Sequence, residues 1–209
     1  MSNIEWVLDP GKFLSRGEVK KLLFTAESRA KNALVKGNKV AVRDYFIISL
    51  ALSTGLRVGE IAELNCGDFI VKPNLMSVIV RKGKGNRKRL VRFGTSLARH
   101  FQQYMAWKEK AGESTEPQAC VFLSSNTGRH MTRRAIQKVF KKAVIRAGLP
   151  EHYSIHCCRH TYACELYRAS GYNLRLVQKQ LGHSNSRITE VYADIFHPDT
   201  EKSLEKLYK

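Results

Sequence analysis

The residues best suited to chemistry lie between His156 and Tyr192: His156-Cys157-Cys158-Arg159-His160, then Leu181-Gly182-His183, then Tyr192. They bring together a guanidinium, imidazoles and a phenol, a set that suits work on a phosphodiester. A nucleophile must reach phosphorus, fixed cations must offset the charge gained in the transition state, and the leaving oxygen must receive a proton. An arginine fork meets two phosphate oxygens and never deprotonates. Histidine or lysine can pass the proton. A tyrosine, whose ordinary pKa is near ~10, becomes a nucleophile only beside a group that accepts its proton.

Each piece taken alone has a plain alternative. Offsets of three and four put Arg159 and His160 on the His156 side of a helix, yet the triplet also reads as an ordinary polar helix face. A zinc-protease reading fails, because Cys157 stands where a glutamate is needed. Gly182 should end a helix in a left-handed turn and present His183 outward, and a histidine there is often only a cap. Arg57, in Thr54-Gly55-Leu56-Arg57-Val58-Gly59-Glu60, follows an apolar helix and a glycine break, where Glu60 can orient it; the alternative is an internal ion pair. Lys84 sits at the tip of Lys82-Gly83-Lys84-Gly85-Asn86. Glycines there allow close approach to a backbone, and without a partner the loop is a solvated charged turn.

Composition supports a nucleic-acid partner. The 209 residues carry 36 Lys+Arg against 18 Asp+Glu, a net charge of +18, with 43% hydrophobic residues. Such a chain folds, self-repels, and needs an anionic surface. A ribosomal or membrane-surface protein is the alternative from charge alone. The basic residues recur along 81–92, 129–146 and 168–179, which predicts a broad docking surface; Lys82, Arg87, Arg133 and Arg134 are its candidate DNA contacts. Cys66, Cys120, Cys157, Cys158 and Cys164 are odd in number and lack Cys-x-x-Cys spacing. They predict reduced thiols in a cytoplasm and no zinc site. No apolar run approaches the roughly 20 residues of a membrane span; residues 45–56 predict a central buried helix. No membrane partner and a cytoplasmic, nucleoid-associated location are expected.

The elements that must position these groups are mostly helical. Ser15 and Glu18 form a candidate capping box opening a helix to about residue 35. Further helices are predicted at about 39–53, 58–64, 96–111, 132–147, 155–169, 174–181 and 186–195. Strands are predicted at 69–71, 75–81 and 88–93, with Pro73-Asn74 as one turn and 82–86 as a hairpin. A loop with a short strand spans 116–125, and an amphipathic helix closes the chain from Thr200. The fold class is mainly α with a small antiparallel β-sheet, in one domain.

Together these residues resemble the tyrosine recombinase (phage integrase) family over residues 15–196. Thr54–Glu60, Gly83-Lys-Gly-Asn86, His156-x-x-Arg159-His160, Leu181-Gly-His183-Ser and Thr189-x-x-Tyr192-Ala stand in the family's order and approximate spacing. The resemblance implies a site-specific DNA recombinase, an enzyme needing no cofactor, metal or ATP. It implies that Arg57 and Arg159 clamp the scissile phosphate, His183 helps hold its oxygens, Lys84 protonates the leaving 5′-oxygen and His156 assists proton transfer. Tyr192 would form a 3′-phosphotyrosyl bond, with Glu60 and His160 supporting the site from behind. The implied partner is a double-stranded DNA site, bound as a homo-tetramer; the free chain would be a monomer or weak oligomer. A non-catalytic DNA-binding regulator should have lost one of these residues, and a topoisomerase-like enzyme would act as a monomer.

Two departures stand out. Cys158 replaces the apolar residue usual before the second arginine. Only about 14 residues precede the catalytic domain (15–199), so the usual N-terminal core-binding domain is expected to be absent. The chain would be either a catalytic fragment or a short member like the fimbrial phase-variation recombinases. Residues 200–209 would be a tail, possibly docking in trans.

Overall fold

The computed structural model describes residues 10–35, 39–81 and 88–182. The chain enters α1 (Arg16–Val35) through the predicted box: the Ser15 amide donates to Glu18 Oε2 at 2.8 Å and the Glu18 amide to Ser15 Oγ at 3.3 Å. Next, α2 (Lys39–Thr54) buries Phe46, Ile47, Ile48, Leu50 and Ala51. A helix apolar on most faces must be covered on most faces, and α2 packs against α1, α4 and α6. Gly55, with φ 61°, ends it. A five-residue α3 (Val58–Ala62) follows. It stops short of the predicted 64 because the Leu64 carbonyl accepts from Val121 and the Cys66 amide donates to Ala119, drawing the chain into a crossing with residues 119–121.

Strands β1 (Phe69–Lys72), β2 (Leu75–Val80) and β3 (Arg89–Arg92) form an antiparallel sheet in the order β1-β2-β3. Val78 and Val91 face each other in the ladder and are both fully buried. On its outer edge β3 is held at Arg92 by a side chain of the helix at 174–181. The Arg92 amide donates to Gln180 Oε1 at 2.9 Å, and Gln180 Nε2 donates to the Arg92 carbonyl at 3.3 Å. Helices α4 (Thr95–Lys110), α5 (Arg133–Arg146), α6 (Ile155–Ala169) and α7 (Leu174–Leu181) complete the order. The strand expected within 116–125 is reduced to the isolated bridges Asn65↔Cys120 and Leu123↔His130. Val121 and Phe122 are consecutive and both fully buried, so this stretch lacks the two-faced alternation of a strand.

The buried apolar residues form two clusters. The larger spans α1, α2, the sheet, α4 and α5, with Phe46 stacked on Tyr104 at 4.5 Å and Phe69 on Phe101 at 4.0 Å. The smaller joins Ala163, Cys164 and Tyr167 of α6 to Val177 and Leu181 of α7. Helix α6 serves both, because Ile155, Cys157 and Cys158 belong to the larger cluster. Arg159 lies between them in sequence.

Candidate active site

A fully charged side chain is costly to bury unless its donors are met. Arg159 is only 6% exposed. One terminal nitrogen donates to the Gly55 carbonyl and the other to the Leu181 carbonyl, both at 2.7 Å. These carbonyls lie at the C-terminal ends of α2 and α7, where orphan carbonyls and the helix dipole favour a cation. Glycines in the left-handed region turn both ends: Gly55 at φ 61°, and Gly182, the C-cap of α7, at φ 66° and ψ 43°. The left-handed turn expected at Gly182 is therefore present. A side chain at Gly55 would stand 2.5 Å from the Tyr162 ring, so this corner accepts only glycine. Three predicted motif segments thus meet on one guanidinium.

Arg57 sits two residues beyond Gly55, its side chain 30% exposed. Its amide donates to Glu60 Oε2 at 2.8 Å and its guanidinium to Glu60 Oε1 at 3.0 Å, the contact anticipated for Glu60. The carboxylate has a further partner that the sequence reading missed. Arg89 of β3 donates to both Glu60 oxygens, at 2.8 and 2.9 Å. Burial would push the Glu60 carboxyl up, but the hydrogen bonds and charge of Arg89, then those of Arg57, outweigh it and hold its pKa below the usual carboxylate value. The signal was strand parity. Along Arg89–Arg92 the residues alternate partly buried, exposed, buried, exposed, which sets Arg89 on the inward face beside Val91, where a charge needs a partner.

The histidines of α6 differ. His156 is exposed in the first turn. Desolvation, then the charges of Arg159 and Arg57, hold its pKa below the ordinary 6.5. His160 is half-buried, and burial, then His156, Arg159 and Lys12, lowers it to about 4. Both imidazoles are predominantly neutral at pH 7, and a neutral ring can accept a proton or donate one. Cys158 is 1% exposed in the larger cluster, so it fills the place of an apolar residue.

Arg133 and Arg134 are exposed in the first turn of α5, after the N-cap Thr132. Arg133 lies over α3: its Nε is 2.9 Å from where a side chain on Gly59 would begin, and it pairs with Glu63 at 3.7 Å. Lys82, Lys84, Arg87, His183 and Tyr192 lie outside the described residues. So do the predicted hairpin, the helix at 186–195 and the tail. The described chain breaks off at Arg81, just after β2, and resumes at Lys88, just before β3, and α7 ends at the Arg159 corner. Among the described residues, no group of three or more His, Cys, Asp or Glu is placed to hold a metal ion, and no helix is long and apolar enough to cross a membrane.

The chain is similar to known proteins in sequence and in fold. The family model described as the phage integrase family matches residues 12–197. Tyrosine recombinase XerC of Proteus mirabilis is 33% identical over 156 residues, covering 75% of this chain and 48% of that protein. The chain thus spans about half the length of the curated relatives it matches. The XerA recombinase crystal structure superposes with a TM-score of 0.72 at 25% identity, over 94% of this chain and 65% of that one. XerH site-specific recombinase bound to difH substrate superposes at 0.71 and 22% identity, over 95% of this chain and 53% of that one; here the likeness is one of fold. Its mostly helical body, its three-stranded sheet and the match along nearly its whole length show that the chain belongs to the phage integrase family, the tyrosine recombinases.

Proposed function

We propose that this chain is the catalytic domain of a site-specific DNA recombinase that cuts and rejoins strands through a 3′-phosphotyrosyl bond. The observation that carries the reading is the meeting of the 54–60, 156–160 and 181–182 segments around Arg159. The two neutral carbonyls orient that guanidinium without cancelling its charge. Arg57, two residues from one of them, would share the clamp on the non-bridging oxygens of the scissile phosphate.

The chemistry then needs only side chains. The Tyr192 phenol gives its proton to neutral His156, its oxygen bonds to phosphorus, and the bond to the 5′-oxygen breaks. Lys84 delivers a proton to that leaving oxygen, and His183 hydrogen-bonds a phosphate oxygen. His160 and Glu60 hold their neighbours in place. The new ester keeps the energy of the old one, so a 5′-hydroxyl from another strand can reverse the step without ATP. No step calls for a metal. Lys82, Arg87, Arg133 and Arg134 would meet flanking phosphates; the first turn of α5 suits this, because helix N-termini attract phosphate. Exchange of two strand pairs needs four such centres, hence a tetramer on two duplexes.

The test uses a duplex selected from a randomised pool for binding to this chain, nicked near the cleavage point so that the adduct is trapped. Tyr192→Phe is expected to abolish the covalent protein–DNA band on a denaturing gel while binding changes by less than about threefold. The wild-type band should persist in EDTA. An adduct formed by Tyr192→Phe would refute the nucleophile, and loss of the band on chelation would refute the metal-free route.

A further inference from the structure

We propose that Arg89 is a positioning residue of the reaction centre, coupling the Arg57 clamp to the Gly182 turn that precedes His183. The proposal rests on the reading of Arg57 as a phosphate clamp. No motif recognised in the sequence includes Arg89.

Arg89 makes two kinds of contact at once. Its fork spans both oxygens of Glu60, which in turn holds the amide and the guanidinium of Arg57. Its stem is the seat of the α7 turn: Cδ and Nε are each 2.6 Å from where a side chain on Gly182 would begin. The Arg89 side chain is 14% exposed and that of Glu60 6%. Arg159 joins the other ends of the same segments, Gly55 and Leu181. The contacts therefore close a circuit: Arg57 to Glu60, Glu60 to Arg89, Arg89 to Gly182, Leu181 to Arg159, and Arg159 to Gly55. Arg89 is also the first residue of β3, paired with Val80, the last residue of β2.

Stability alone does not explain such a pair. A buried ion pair roughly breaks even against apolar residues of the same volume. What it supplies here is geometry, because a bidentate fork fixes the Glu60 plane and so the direction of Arg57. Lysine would supply the charge as a single point and leave that plane free to rotate.

The test measures Arg89→Met and Arg89→Lys by single-turnover cleavage of the selected duplex, DNA affinity and thermal unfolding. Displacing Arg57 by about an ångström is expected to slow Arg89→Met cleavage by roughly 100-fold, with affinity within about threefold. Arg89→Lys should recover less than about a tenth of the rate. A duplex whose scissile phosphate is a methylphosphonate has no charge to neutralise, so on it the deficit of Arg89→Met should shrink, as should that of Arg57→Ala. The double variant should cleave no more slowly than Arg57→Ala alone. If Arg89→Met does not fold, Glu60→Gln, nearly isosteric, takes its place with the same expectations. Equal deficits on both duplexes, full additivity with Arg57→Ala, or full rescue by lysine would each overturn the proposal. Unchanged cleavage by Arg57→Ala would instead refute the clamp beneath it, and the proposal with it.

Discussion

The ground under Arg57 and the ground under Gly182 are built differently. Arg57 rises from the larger cluster, flanked by buried Leu56, Ile61, Ala62 and Leu64 and backed by the aromatic stack around Phe46. Gly182 rises from the small cluster, where Val177 and Leu181 supply the buried side chains of α7. Directed bonds make up the difference, Arg159 on the Leu181 carbonyl and the Gln180 amide on the edge of β3, while the Arg89 side chain packs beneath Gly182. Apolar burial is non-directional and scales with area, so a large cluster can hold a loop by mass. A small one needs directed bonds to fix where its helix ends.

The strongest way to break this contrast is Arg159→Ala. It leaves two carbonyls at helix ends without their donor, at about 1–3 kcal/mol each if they stay dry. Cleavage should fall by about 1,000-fold or more, since under the proposed function a charge-neutralising group is lost as well. Hydrogen exchange should quicken at α7 amides and leave the centre of α2 protected; equal quickening of both would erase the distinction drawn here.

A second comparison sharpens it. Ile136, fully buried in the larger cluster, should cost about 2–5 kcal/mol as Ile136→Ala, and the loss should be global. Val177→Ala removes less volume from the small cluster. It should open α7 locally, slowing cleavage more than it lowers the melting temperature. If Val177→Ala lowers the melting temperature by as much as Ile136→Ala, α7 is part of the global folding unit.

The smallest effect concerns pH and the larger cluster. His100 packs on Tyr45 at 4.3 Å and Phe46 at 5.0 Å, and burial lowers its pKa to about 4. The unfolded chain binds this proton below about 6.5 and the folded chain only near 4, so stability is lost as pH falls through that window. His160 acts in the same window. Urea unfolding at pH 7 and pH 5 should show a smaller loss for His100→Gln than for the wild type. The same pH dependence in both would mean that His100 is not buried in its neutral form.

Much of this was legible in the residues. The bounds of α6 and α7, the Ser15–Glu18 box and the Gly182 turn follow from local chemistry: capping, periodicity and the freedom of glycine at positive φ. The Arg57–Glu60 contact follows from a three-residue offset. What escaped was long-range. Backbone carbonyls have no sequence signature, so nothing in Gly55 or Leu181 announces that they hold Arg159. Arg89 was hidden within a basic run, Arg87-Lys88-Arg89, that reads as a solvated DNA-facing surface. Leu90 compounds this: it is an apolar residue pointing outward, 49% exposed, which disguises which parity of β3 faces in.

Strand β3 is gripped on both edges. The strand is paired to β2 on one edge and bound by Gln180 at Arg92 on the other, so its register is held from two sides. Held so, β3 keeps Arg89 on Glu60. A single-residue slip of β3 itself would instead bring Lys88 or Leu90 inward. The register of β3 is thus the setting that decides which side chain meets Glu60.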